Sequence, residues 1–436
     1  MSGAAWRRVR MGLVVLWAGL GCAASAPPPG GPKSAATAPA PAPAAAPPPA
    51  GAPAPGGTII RGSLEQLFGR ESSGLTPRPL EFSDGKFTAE VESSAAPTAK
   101  RSSESWAVTV PIGSALPISC YVYDKQTDGA ATVVRFIRLI KEGTKDLTIK
   151  QVLPTEAGAV GEDPYMIAEL VYSKAMPAGP VIGQIKMMVR PSFDAPLFCF
   201  HDEPGYTQTF KRVTLGLARA LKARTPSPPP ELVEIWVAHL GDMPVGYDKR
   251  TIGTDASGNA YDQTISCGLI PRSLQELSAT DEVEVERRDA KGRVQQIDSV
   301  AMEGEEIESQ LQLARQGAGR EYTVKGKVSG KEISARFKSK EKEGLPSGIL
   351  VASRLRALAA GKARELKVEE FHPSISPQQP IDVVYRSKDG SRDLTMTLGK
   401  IEATGHLDEH GMLDRSSVPL GGTVMRQERI LIRGAP

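Results

Sequence analysis

The chain has 436 residues, of which 53 are basic and 50 acidic, and 40% are hydrophobic. That is too long for one ordinary domain and apolar enough for packed cores, which excludes a wholly disordered or fibrous chain. Residues 1–21 hold Arg7, Arg8 and Arg10 and no acidic residue, so the formal charge of +3 belongs to that segment and 50 basic residues face 50 acidic ones beyond it. A neutral body gives no support for a nucleic-acid partner or for a membrane surface held by charge.

At the N-terminus three arginines precede an apolar run from Met11 to Gly21, and Gly19, Leu20, Gly21 and Cys22 close it. The run is shorter than the about 18 to 20 apolar residues a membrane-spanning helix needs. Positive charge, a short apolar stretch, small residues and a cysteine are the layout of a secretory signal that is removed. The segment resembles the lipobox of bacterial lipoproteins, with its leucine two places before the cysteine instead of the usual three. The resemblance implies a signal peptide over residues 1–21 and Cys22 as the site of lipid attachment, palmitate included. With Ala23 instead of aspartate next, it implies the outer membrane, facing the periplasm. The expected membrane contact is this N-terminal lipid, with the rest of the chain in an aqueous envelope compartment.

Residues 22–57 then comprise the cysteine and a stretch almost entirely of Ala, Pro, Gly and Ser. Such a composition cannot bury a core and acts as an extended tether, reaching on the order of 100 Å at roughly 3 Å per residue. A first domain is expected over 58–224. Trp106, Val108 and Val110 alternate as one face of a strand, while Val133, Phe136, Ile137 and Ile140 follow the i, i+3, i+4, i+7 spacing of a helix face. Pro164–Lys174, Val181–Arg190 and Pro196–Asp202 read as successive strands, and Phe210, Val213, Leu217 and Leu221 as a closing helix. The proline-rich segment 225–231 predicts a domain boundary.

The second domain, 232–436, carries turn signals at Asp289–Arg293, Val328–Glu332, Ser387–Ser391 and Asp408–Met412, each with glycine beside polar residues. One helix is predicted within it, from a serine cap at Ser347 to Gly361. The fold class expected from the whole is α+β: a helix-flanked antiparallel sheet domain, then a curved antiparallel β-meander with one inserted helix. The runs WVAHLGDMPVGYDKRTI, VERRDAKGRVQQIDSV and GHLDEHGMLDRSSVPLGG resemble uncharacterised envelope β-meander proteins and, more distantly, the half-barrels of bacterial lipoprotein carriers and receptors. In the carrier family the inner face of the sheet holds acyl chains. The resemblance therefore implies a non-catalytic binding or assembly module, with an apolar ligand such as a lipid, or an envelope protein, as its partner.

His406, Glu409 and His410 spell the inverted zinc-protease motif H-x-x-E-H, which requires both histidines on one helix face. Gly405 and Gly411 bracket it and strand-like segments flank it, so a solvated turn is the stronger expectation. A metal-dependent hydrolase built on these three residues is the alternative function, and a purely structural envelope protein is another. With Cys22 acylated, Cys120, Cys199 and Cys267 remain in an oxidising compartment. Cys120 and Cys199 fall in strand-like segments of the first domain and are expected to form a disulfide. Cys267 is left as a free, buried thiol, and its pairing with His239 for catalysis has no spacing to support it. Phe198–Phe210 is rich in reactive residue types, including His201, Asp202 and Glu203, and is read as a tight connector into a helix. No catalytic residue, metal or cofactor is expected.

Overall fold

A computed structural model describes residues 64–434, apart from 126–128, 178, 256–257 and 388–390. The signal segment, Cys22, the tether and part of the turn at Ser387–Ser391 lie outside the described residues. After α1 (Leu64–Phe68), strands β1 (Thr76–Glu81) and β2 (Phe87–Ser93) form a hairpin, which β11 (Lys222–Ala223) extends to a three-stranded sheet.

An eight-stranded antiparallel sheet follows, from β3 (Thr98–Arg101), β4 (Ser105–Val110), β5 (Ile118–Tyr123), β6 (Leu147–Val152), β7 (Glu156–Val160), β8 (Asp163–Lys174), β9 (Val181–Arg190) and β10 (Leu197–Asp202). Helix α3 (Thr207–Ala220) presses Phe210, Val213 and Leu217 into a core with Trp106, Val108 and Ile118 on one side of it. Helix α2 (Ala130–Gly143) covers the other face, where Val133 packs with Met187 and Phe198.

The rest is one 14-stranded antiparallel sheet: β12 (Leu232–Leu240), β13 (Met243–Thr254), β14 (Ala260–Ser273), β15 (Glu276–Arg288), β16 (Val294–Glu303), β17 (Glu306–Arg315), β18 (Glu321–Val328) and β19 (Lys331–Lys338), and after helix α4 (Gly348–Ala359) β20 (Glu365–Glu370), β21 (Ile381–Ser387), β22 (Asp393–Leu398), β23 (Ile401–Leu407), β24 (Leu413–Leu420) and β25 (Thr423–Gly434). Two meanders are joined at the middle, where β12 pairs with β25. The outer edges β19 and β20 curl back toward each other. Phe337 and Phe371 stack with centroids 6.3 Å apart, and Ser339 Oγ donates to Glu369 Oε2 at 2.6 Å.

The α+β expectation is overturned: among the described residues strands take 56% and helices 12%, so the fold is mostly β. Segments that read as short hairpin arms are continuous long strands, fourteen residues in β14, while the helices each cover only one face of a sheet. Tyr247, Ile265 and Cys267 from the large sheet share one apolar cluster with α2 and the eight-stranded sheet. At this junction the chains approach closely: a Cβ on Gly129 would stand 2.6 Å from Cys267 Sγ. Among the described residues no helix is long and apolar enough to cross a membrane.

Candidate functional site: a polar trough on the large sheet

The inner face of the curled sheet is filled. Val351, Leu355 and Leu358 of α4 pack against Trp236, Val383, Tyr385 and Met425, and a second cluster of Leu311, Leu313, Tyr322 and Phe371 closes the other side. Serine at 347 starts the plug as the sequence predicts, with its side chain accepting the Leu350 N–H at 3.4 Å, and Gly361 follows its end at φ +67°. One chamber on the inner side, beside Glu284, Glu286, Glu370, Leu345 and Phe371, has about 20 Å³. That is room for about one water and for no acyl chain. Helix α4 thus occupies the concave face on which an apolar ligand is expected.

The open site is on the opposite face. Along β22 to β25, alternate residues turn inward (Leu394, Met396, Ala403, Leu407, Val418, Met425) and the intervening ones face outward. Register aligns the outward residues into two rows crossing the strands. One runs Thr395, Thr404, Ser417, Arg426 and His239, the other Asp393, His406, Arg415 and Glu428. They line a concavity of about 840 Å³. Five strands at about 4.8 Å make it about 19 Å long, and its volume lies in the usual range of ligand sites.

Its groups are partly tied to one another. Thr404 and Ser417 share a hydroxyl hydrogen bond at 2.7 Å, and Arg426 reaches Asp242 at 2.6 Å. Burial and the Arg426 guanidinium lower the pKa of His239, which favours the neutral ring. His406 Nδ1 is 2.8 Å from Asp414 Oδ1, an orienting carboxylate such as catalytic histidines use. Among the described residues, however, no hydroxyl engages its other ring nitrogen. The trough can bind through hydrogen bonds and charges of both signs, and it offers no paired nucleophile and base.

Of the zinc motif, His406 alone faces this trough. Glu409 and His410 stand in solvent on the turn after β23, their side chains 3.6 Å apart. The turn is built by Asp408, whose Oδ1 accepts the N–H groups of His410 at 2.8 Å and Met412 at 2.9 Å. Strand and turn leave no helix to bring both rings to one ion. Among the described residues no three His, Cys, Asp or Glu side chains are grouped to hold a metal.

Cys120 and Cys199 are directly opposed on β5 and β10 and joined as a disulfide. Cys267 is buried with Tyr247 Oη donating to its sulfur at 2.8 Å, and burial and Asp281 push its pKa well up. It lies at the α2 junction, whereas His239 lines the trough.

The polar groups of 198–210 are spent on the connector. Lys186 Nζ donates to the carbonyls of Glu203 and Gly205 at 2.5 Å each, and burial brings its pKa down to about 8. His201 Nε2 is 3.0 Å from Leu116 O, and burial followed by Lys186 lowers its pKa to about 3. Tyr206 takes a left-handed φ of 60° to enter α3, a strained choice for a bulky residue.

Single-strand reading missed the trough because none of its rows is contiguous in sequence. The signal that was present is the polar half of each alternating strand, and long-range register alone assembles it.

No protein-family model matches the chain, and no curated protein matches it. Among solved structures, a β-barrel-like protein of domain of unknown function DUF1849 from Brucella abortus is similar at 12% identity and a TM-score of 0.37, covering 48% of this chain and all of that one. A DUF1089 family protein from Pseudomonas aeruginosa is similar at 14% identity and a TM-score of 0.20, covering 44% of this chain and 91% of that one.

Proposed function

We propose that this protein is a lipid-anchored envelope lipoprotein, held through Cys22 to the outer membrane and facing the periplasm, whose β-rich body is a non-catalytic binding module. The trough carries this reading, since it is a concavity of about 840 Å³ with hydrogen-bonding side chains in register. Its polar lining points to a polar ligand or a partner protein, and the reading moves away from an apolar cargo because α4 fills the inner face. The arginines before a short apolar run, Cys22 and the Ala/Pro tether support the anchor.

Two measurements test it. Metabolic labelling with palmitate should mark the wild-type chain and not Cys22→Ser, and an unlabelled wild type sinks the anchor. Native mass spectrometry of the body from an envelope extract should show excess mass that disperses on denaturation and is lost in Thr404→Val with Arg426→Ala. Excess mass that survives both substitutions removes the trough from the reading, and a chain with none in any extract removes ligand binding.

A further inference from the structure

The neutral body is not evenly neutral. Between 325 and 342 it carries Lys325, Lys327, Lys331, Arg336, Lys338, Lys340 and Lys342 against Glu332 and Glu341, a net of +5 in 18 residues, so the rest of the processed chain carries −5. All seven cations are exposed. On β18 and β19 the inward positions are Tyr322, Val324, Ala335 and Phe337, with Phe337 stacked on Tyr322 at 5.4 Å, which leaves Lys325, Lys327, Arg336 and Lys338 on the outer face. Eight-residue strands make this strip about 27 Å long.

Little of the charge is neutralised. Lys327 pairs with Glu332 at 3.1 Å, Lys340 with Asp382 at 3.0 Å, and Glu341 is taken by Arg354 at 3.3 Å. Among the described residues no ion pair engages Lys325, Lys331, Arg336, Lys338 or Lys342, and Glu321 stands opposite Lys338 without closing one. Lysines on an edge strand such as β19 blunt strand pairing. Lys325 and Lys327 lie one strand further in and have no such task.

We infer that this strip docks on an anionic bilayer surface through phospholipid headgroups. Six of the seven cations of this run are lysines, which act as point charges, and the aromatic rings of β18 and β19 point inward, so these strands present no stacking platform for a nucleic-acid strand. Each cation near such a surface adds to binding, and the opposite charge of the remaining body turns the strip toward it. A tethered body would then lie on the membrane instead of standing away from it. The inference does not depend on the trough.

The test uses the chain from residue 22 onward carrying Cys22→Ser, so that no acyl group is present, in co-sedimentation with vesicles. Binding is expected to phosphatidylglycerol-containing vesicles and not to pure phosphatidylcholine, at least about tenfold weaker at about 0.5 M than at about 0.05 M salt. Lys325→Glu, Arg336→Glu and Lys338→Glu together should weaken it about tenfold or more with the melting curve unchanged. Reversing Lys145, Lys150 and Lys222, exposed elsewhere on the body, should leave it intact. No binding to anionic vesicles, equal loss in the two triple variants, or binding to linear polyphosphate without binding to vesicles would each overturn the inference.

Discussion

Asp281, on β15 of the large sheet, accepts the N–H of Ala130, the first residue of α2, at 2.9 Å, and its other oxygen accepts that of Ala131 at 2.6 Å. The helix has no cap of its own, since Gly129 precedes it and supplies no side chain. A carboxylate 151 residues away therefore satisfies two buried donors and places negative charge at the helix N-terminus, which couples the two parts of the body. Asp281→Ala should cost about 2 kcal/mol in urea unfolding at unchanged slope. Faster amide exchange at Ala130 and Ala131 should accompany it, and unaltered exchange there would show that the cap does not hold the helix.

A second long-range device lies inside the large sheet. Arg250 forks onto Asp262 with bonds of 2.9 and 2.8 Å and reaches Glu234 at 3.0 Å, and Glu234 in turn takes Arg429 at 3.0 Å. Arg429 also holds Asp408, the residue that builds the turn bearing Glu409 and His410. Removing the guanidinium strands the Asp262 carboxylate away from water and leaves Glu234 with Arg429 alone. Arg250→Ala should destabilise by about 3–5 kcal/mol, and Arg250→Lys should recover little because one ammonium cannot span the fork. Full recovery by lysine would mean that charge alone, without the planar geometry, does the holding.

The three cysteines of the body should behave differently. Under native conditions Cys267 should be inert to a thiol reagent, shielded by Tyr247 and held protonated by burial, and one thiol per chain should react after unfolding without reductant. Replacing Cys120 and Cys199 together by serine opens a loop with a sequence separation of 79, and the chain-entropy account puts the loss at roughly 4 kcal/mol before any strain is considered. Three reactive thiols in the unfolded, unreduced chain would show that Cys120 and Cys199 are not joined.

Local pattern carried some elements of this architecture and not others. The spacing of Val133, Phe136, Ile137 and Ile140 coincides with α2, and the serine and glycine at 347 and 361 coincide with the limits of α4, because helix faces and caps are contiguous signals. Continuity of the 14-stranded sheet depends on β12 pairing with β25, Leu232 opposite Gly434, and nothing near either residue records the other. The same distance hides the trough, whose rows take residues from 239, 395, 404, 417 and 426. It also hides the filling of the concave face, since a helix between two meanders can as well lie outside them. The basic run at 325–342 was legible in sequence, but a balanced total concealed it.

Glu286 gives the body a pH dependence of definite sign. It sits on β15 with Asp262, Arg250, Arg288 and Glu284 around it, Glu370 across the small chamber, and the Gly348 N–H at the start of α4 bonding to it. Burial, followed by the Asp262 carboxylate, raises its pKa from 4.5 to about 8, against the pull of Arg288 and Arg250. Between those values the folded chain holds a proton that the unfolded chain has released. This contribution to stability is therefore full below about pH 4.5, falls by at most about 1.4 kcal/mol per pH unit above that, and is gone above about pH 8. His201 works in the other direction at the acid end: its pKa is lowered from 6.5 to about 3, so its contribution is present above 6.5 and is lost as pH falls toward 3. Glu286→Gln keeps the neutral form at every pH. Its unfolding free energy should run flatter than that of the wild type from pH 5 to 8 and exceed it at pH 9, with the gap closing at pH 5. Parallel curves would mean that Glu286 is ionised in the folded protein and that Arg250 and Arg288 outweigh its burial.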